Sequence, residues 1–246
     1  MSQMDHVSAG TISEFWRAVV IGIVRGIIGP ALPLRVTGTE NVPLDGPLIV
    51  VSNHLSNADP PILIVAFPRP LYFMGKAELF RNPVLAWIVR KFGGFPVERG
   101  SADRAALRHA LRVLNSGIAL GIFPEGGRSK TGALRPGLPG VGLLALQSEA
   151  PVLPVSLTGT EVYPVNGDRP LRRPPGRPRG VDVHFGSPFV VPRQVDGKRV
   201  TADEATRLIM TRVAALLPEP YRGVYSSSPS ISSSSSSGDP VRSARR

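Results

Sequence analysis

Short apolar runs rich in Val, Ile and Leu recur along the chain at residues 47–52, 71–74, 94–97, 118–123, 151–157 and 181–185. Runs of this length predict strands. Between several of them the apolar period becomes helical, most clearly over residues 102–116, where Leu107, Leu111 and Leu114 share one face. Ser101 stands at the N-cap of that helix and Gly117 at its stop, while Arg104, Arg108 and Arg112 stripe the outer, solvated face. A last helix over residues 202–217 opens on Thr201 and Glu204, spaced to satisfy each other's backbone donors as a capping box, and Pro218 ends it. Alternating strands and helices predict an α/β fold, a single domain with a mostly parallel central sheet flanked by helices. The folded domain is expected over residues 35–220.

Both flanks differ in pattern from this domain. In the N-terminal segment, residues 1–34, the stretch 15–34 is apolar yet carries Arg17 and Arg25, too short and too charged to span a bilayer. Phe15, Trp16, Val19, Val20, Ile23, Ile27 and Ile28 recur at helical spacing, which suits an amphipathic helix lying on a membrane or a helix packed on the protein's own core. Residues 1–10 lack a basic flank and carry Asp5, so a cleaved export signal is not expected. Residues 221–246 are dominated by serine, too poor in apolar groups to offset the entropy of ordering, and are expected to be disordered. Within the domain, residues 168–180 place Arg169, Arg172, Arg173, Arg177 and Arg179 among prolines, which predicts an exposed loop, either simply solvated or meeting lipid headgroups or carrier phosphates.

Composition narrows the classes. An apolar fraction of 42% in 246 residues suffices for one core, and 26 Gly with 26 Pro imply many turns. Lys and Arg outnumber Asp and Glu by 29 to 18, which suits an anionic surface, a phosphorylated ligand or nucleic acid. Aromatics are only 6% and are not interleaved with the arginine loop, which argues against nucleic acid as a partner. The absence of cysteine removes disulfide frameworks, Cys-rich metal sites and a Cys nucleophile.

Candidate chemistry lies just beyond strand ends. The run Ser52-Asn53-His54-Leu55-Ser56-Asn57-Ala58-Asp59-Pro60 sets a His and an Asp five apart. On one continuous helix they would diverge by roughly 140°. Pro60 makes Asp59 a natural N-cap of a helix over residues 60–67, leaving His54 in the preceding turn, free to fold back. Two readings stand: Asp59 is merely a cap and His54 a loop histidine, or Asp59 fixes the imidazole so that its other nitrogen deprotonates a hydroxyl. No Gly-x-Ser-x-Gly elbow is present, and His54 has no second histidine at metal-ligand spacing. Arg99, after Gly93-Gly94-Phe95-Pro96-Val97-Glu98, is either a surface residue or a bidentate phosphate ligand. Phe123-Pro124-Glu125-Gly126-Gly127-Arg128-Ser129 is either an ordinary glycine turn or an anion-holding one.

Together and in this order, these blocks resemble the 1-acylglycerol-3-phosphate O-acyltransferase family, the bacterial lysophosphatidic acid acyltransferases. Asn53-His54-x-Ser56-x-x-Asp59 matches that family's Asn-His-x-Ser-x-x-Asp block, and Phe123-Pro124-Glu125-Gly126-x-Arg128-Ser129 its Phe-Pro-Glu-Gly-Thr-Arg-Ser block. Gly93, Val97 and Arg99 follow a further block, Val152-Leu153-Pro154-Val155 resembles its apolar fourth block, and Lys76 sits where relatives carry a lysine. Gly127 replaces the usual threonine and Pro96 a common aromatic, which bears on the acceptor pocket. The likeness covers about residues 35–190. It implies a glycerol-3-phosphate acyltransferase-like fold, with His54 as general base, Asp59 as its orienter, and Lys76, Arg99, Glu125, Gly126, Arg128 and Ser129 binding substrate. The implied reaction moves a fatty acyl group from acyl-CoA or acyl-carrier protein, as cosubstrate, to 1-acylglycerol-3-phosphate, giving phosphatidic acid without metal or cofactor. The implied place is peripheral, at the cytoplasmic face of the cell membrane. The alternatives are another lysolipid or glycerol 3-phosphate as acceptor, and a noncatalytic lipid or acyl-CoA binding protein, which an intact His54 and Asp59 argue against.

Membrane docking by two weak signals has separable consequences. Deleting residues 1–29 is expected to weaken binding to neutral and anionic vesicles alike, whereas neutralising Arg172, Arg173, Arg177 and Arg179 should weaken only anionic binding, at about 1 kcal/mol per arginine. Vesicle cosedimentation at low and high salt measures both, and binding unchanged in both folded variants would put the membrane face elsewhere.

Overall fold

The computed structural model describes residues 33–83, 86–87, 95–97, 104–163, 171–176 and 179–226, with residues 22 and 26 besides; at 75, 76, 78, 79 and 95–97 it describes the backbone alone. Apart from Gly22 and Gly26, which are helical, the segment expected to form an apolar N-terminal helix lies outside the described residues, as do Arg99, Ser101, part of the arginine loop and most of the serine run of the tail.

One sheet of seven strands forms the frame: β1 (Leu34–Thr37), β2 (Leu48–Ser52), β3 (Leu71–Lys76), β4 (Phe95–Val97), β5 (Ala119–Ile122), β6 (Val152–Thr158) and β7 (Val181–Phe185), in the order β1-β7-β6-β2-β5-β3-β4. Neighbours are parallel throughout except β6 and β7. The central strands β2 and β6 are buried at every position, which is why their sequences are continuous apolar runs rather than alternating ones. In β2, Ile49 and Val51 face one core and Leu48 and Val50 the other. Helices α2 (Arg104–Asn115), α3 (Gly140–Ser148) and α4 (Ala202–Leu216) contribute to the first core, and α1 (Asp59–Ala66) to the second.

Every predicted strand is present within a residue or two of its expected bounds. Two features escaped the sequence pattern. Strand β1 is four residues long and carries Arg35 and Thr37 on its exposed positions, too little alternation to detect. An exposed hairpin, β8 (Gln194–Val195) and β9 (Lys198–Arg199), turns on Asp196 and Gly197, both at positive φ as a two-residue turn of this hand requires. Pro154 sits in a central strand because its missing N–H falls on the β7 side, in the gap between the Val152–Phe189 bridge and the first β6–β7 pair.

Helix ends follow their expected chemistry in two cases and depart from it in one. The Thr201–Glu204 capping box is formed. At the end of α2, Gly117 (φ 75) and Ile118 close back on Leu114 and Val113. Asp59, expected as an N-cap, is instead the first residue of α1, after Ala58. Pro60 and Pro61 remove the two donors an N-cap side chain would serve, and Ile62 N–H already reaches the Ala58 carbonyl, so the Asp59 carboxylate is released from capping. Nor does packing stop near Pro218: two short turns follow, and Tyr221 is buried.

Helix α3 crosses the start of α4 at a glycine. A Cβ at Gly142 would stand 2.1 Å from the Ala202 carbonyl oxygen, whereas one at Gly140 meets nothing within 4 Å. Gly142→Ala is expected to lower stability by about 1–3 kcal/mol or more, and Gly140→Ala to leave it unchanged or raise it by up to about 1 kcal/mol. Urea midpoints at unchanged m-value read both; equal midpoints would contradict the crossing.

Candidate active site

Strands β6, β2, β5 and β3 run parallel side by side, so their C-terminal ends lie along one edge of the sheet, the edge that binds ligands in open α/β folds. That edge receives Gly159-Thr160 from β6, Asn53-His54 from β2, the turn Phe123–Arg128 from β5, and Lys76 as the last residue of β3. Asn53 fastens the two central ends: its amide donates to the Leu157 carbonyl at 2.7 Å and accepts from the Leu157 N–H at 2.8 Å.

His54 and Asp59, five apart in sequence, meet because the turn between them folds back. His54 Nδ1 lies 2.8 Å from Asp59 Oδ2, which also accepts the N–H groups of Leu55 at 2.6 Å and Ser56 at 2.7 Å. Both side chains are buried, Asp59 completely. A carboxylate that accepts two backbone donors also sets the third partner: His54 Nδ1 carries a proton, and in the neutral ring Nε2 is the nitrogen with the lone pair. The imidazole stacks on Phe123 at 4.2 Å, and Phe123 on Phe73 at 5.6 Å, which fixes the plane in which that lone pair points.

The glycine turn holds His54 by its backbone. Glu125 Oε1 accepts the His54 N–H at 2.9 Å, and the Ser129 N–H donates to the His54 carbonyl at 2.7 Å. Gly126 takes φ 67, a left-handed conformation that favours glycine. Glu125 and Ser129, expected among the substrate-binding residues, brace the turn from within the protein. Glu125 is buried with its second oxygen accepting the Arg135 N–H at 3.0 Å, and Ser129 Oγ donates to the Ala133 carbonyl at 2.7 Å. Arg128 is half-buried on this turn, its carbonyl accepting from Arg135 Nη1 at 3.3 Å. Burial pushes the Glu125 carboxyl up to about 7, against the pull of the His54 and Arg135 N–H groups and the Arg135 charge.

Three participants were not singled out from sequence. Phe123 was quoted only as part of a block, and Arg135 lies beyond it. Thr160, whose hydroxyl is 2.6 Å from Asp59 Oδ1, lies 101 residues away in the chain, a separation no local pattern bridges. Arg99 lies outside the described residues, and at Lys76 only the backbone is described. In the arginine loop, Arg172 and Arg179 are exposed, and Arg173 Nη2 reaches the Gly159 carbonyl at 3.5 Å. Among the described residues no cluster of His, Cys, Asp and Glu has the form of a metal site, and no helix is long and apolar enough to cross a membrane.

Comparison with known proteins meets this geometry over the same stretch of chain. The family model described as Acyltransferase matches residues 33–158. The 1-acyl-sn-glycerol-3-phosphate acyltransferase of Borreliella burgdorferi is 35% identical over 134 residues, 54% of this chain and 54% of that protein. Its namesake from Streptococcus pneumoniae is 29% identical over 202 residues, 81% of this chain and 69% of that protein. The crystal structure of the 1-acyl-sn-glycerophosphate (LPA) acyltransferase, PlsC, from Thermotoga maritima superposes with a TM-score of 0.60 at 27% identity, covering 81% of this chain and 79% of that one. The matches span about half the length of the first curated relatives, 54% and 42%.

The raised Glu125 pKa fixes the sign of a pH effect. Between about 4.5, the ordinary value, and about 7, the folded state holds a proton that the unfolded state has lost, so stability falls as pH rises through that window. The fall is expected to be at most about 3 kcal/mol. Glu125→Gln should flatten it, at a cost of about 1–3 kcal/mol, because an amide NH₂ then faces a backbone N–H. Denaturant midpoints from pH 4 to 8 measure both; an unaltered slope in the variant would assign the pH dependence to another group.

Proposed function

The chain belongs to the acyltransferase family, and on that premise we propose that it transfers a fatty acyl group from a thioester carrier, acyl-CoA or acyl-carrier protein, to the free hydroxyl of 1-acylglycerol-3-phosphate. The product is phosphatidic acid, a precursor of phospholipids. The observation that carries this reading is the buried His54–Asp59 pair, with no hydrogen bond on Nε2 among the described residues, set against a glycine turn that bears Arg128.

In this reading Nε2 of His54 takes the proton of the acceptor hydroxyl as its oxygen attacks the thioester carbonyl. Asp59, bonded at Nδ1, stabilises the imidazolium that forms. The tetrahedral intermediate collapses with breakage of the carbon–sulfur bond, and the imidazolium returns the proton to the departing thiolate. Ester and thiol are released, the atoms balance, and no acyl-enzyme is required. Arg128, with Lys76 at the end of β3 and with Arg99, supplies positive charge for the acceptor phosphate. A lysophospholipid stays largely in the bilayer, so we place the enzyme at the cytoplasmic membrane surface, with residues 1–34 and the exposed arginines as the docking elements.

His54→Ala is expected to lower turnover by roughly 10²- to 10⁴-fold while the protein stays folded, because Asp59 Oδ2 keeps the Leu55 and Ser56 donors. Arg128→Ala should chiefly raise the acceptor KM and move the thioester KM less, since a phosphate contact exists in ground and transition states alike. The assay is radiolabelled acyl-CoA against lysolipids with and without a phosphate. Near wild-type turnover by folded His54→Ala would remove the base, and indifference to the acceptor phosphate would remove the substrate.

A further inference from the structure

The proposed reaction uses the Oδ2 side of Asp59; its Oδ1 side carries a contact that neither sequence block contains. The Thr160 hydroxyl donates to Asp59 Oδ1 at 2.6 Å, and Thr160 is completely buried. The terminal torsion of an aspartate is soft, and the three donors on Oδ2 restrain the carboxylate from one end only. A donor on the other oxygen fixes that plane, and with it the line from Oδ2 to His54 Nδ1 and the aim of Nε2.

Thr160 is itself held from several sides. It follows Gly159, whose φ of 94 and close approach to the Gly180 carbonyl, 2.1 Å from a notional Cβ, pin the turn after β6. Glu161, buried beside it, accepts the Gly159 N–H at 2.7 Å through one oxygen and the Tyr221 hydroxyl at 2.8 Å through the other. The Tyr221 carbonyl in turn accepts the Leu134 N–H at 2.9 Å, on the chain that leaves the glycine turn. One bonded series therefore runs from the C-terminal turn through Tyr221 and Glu161 to the Thr160 turn, and from Thr160 to Asp59 and His54.

We propose that Thr160 is a positioning residue for the reaction, locking the Asp59 carboxylate so that His54 presents Nε2 in one orientation, with the Tyr221–Glu161 bond holding Thr160 in place. The proposal rests on the reading of His54 as the base. Its test compares Thr160→Val, which keeps the shape and removes the hydroxyl, with Thr160→Ser, which keeps the hydroxyl. Thr160→Val is expected to lower kcat about 10-fold with both KM values within about 2-fold, and Thr160→Ser to restore most of kcat. Wild-type kcat in Thr160→Val, or equal losses in the two variants, overturns the proposal.

A second readout needs no turnover. The low-field proton resonance of His54 Nδ1–H, assigned by its loss in His54→Ala, should shift or broaden in Thr160→Val and return in Thr160→Ser. If the wild type moves no acyl group, the proposed function fails while this resonance still decides the role of Thr160; a resonance unchanged in Thr160→Val overturns it. Should Thr160→Val fail to fold, Tyr221→Phe carries the same test one bond further out: a smaller kcat loss at constant KM supports the proposal, and wild-type kcat with an unchanged resonance overturns it.

Discussion

A fully buried carboxylate must have its lone pairs met from within the protein, and Asp59 meets this demand with four donors drawn from two distant parts of the chain. Two are backbone N–H groups of the turn that precedes it, one is the His54 ring and one the Thr160 hydroxyl. The paired prolines at 60 and 61 make this possible. By removing the donors that a helix start would otherwise leave open, they free the aspartate to face backward into the turn. The fold of residues 54–59, the tautomer of His54 and the placing of the turn after β6 all answer to this one group.

The strand order supplies the neighbours that the carboxylate needs. Because β6, β2 and β5 are adjacent and parallel, Thr160, His54 and Glu125 arrive at the same edge, although 71 residues separate His54 from Glu125 and 101 separate Asp59 from Thr160. Glu125 is a second buried carboxyl with a different task. It accepts one N–H from the His54 turn and one from the chain after its own glycine turn, and so sets the spacing between the two loops. Its pKa is raised because these two backbone donors and the Arg135 charge do not fully offset the loss of water. The aromatic stack of Phe73 and Phe123 adds the remaining wall, and Gly121 beneath it has no side chain because Phe73 occupies that space.

Beyond α4 the chain does not simply trail away. Tyr221 and Tyr225 reach back, the first to Glu161 and the second to the Gly137 N–H, so the last short turns tie down both loops that flank the site. No apolar periodicity announces these residues, since an isolated tyrosine after a helix stop has no pattern around it.

The sequence alone determined six of the strands, the Thr201–Glu204 capping box, the Gly117 stop, the α/β class and the two blocks around His54 and Glu125, because each is written in residues within a few positions of one another. Hydrophobic runs and caps act locally, and a turn of four residues between His54 and Asp59 is short enough to be read. What only the tertiary structure decided is which loops become neighbours. That depends on strand order, which is set by the packing of α1 on one face and α2, α3 and α4 on the other rather than by any local signal. Thr160 and Tyr221 gained their bonds in this way, and so did Glu125, whose two oxygens each accept a backbone N–H from a different loop. Hydrogen bonds between residues a hundred positions apart leave no spacing to detect; their physical cause is the need to satisfy buried polar atoms, which exists only once the chain has folded.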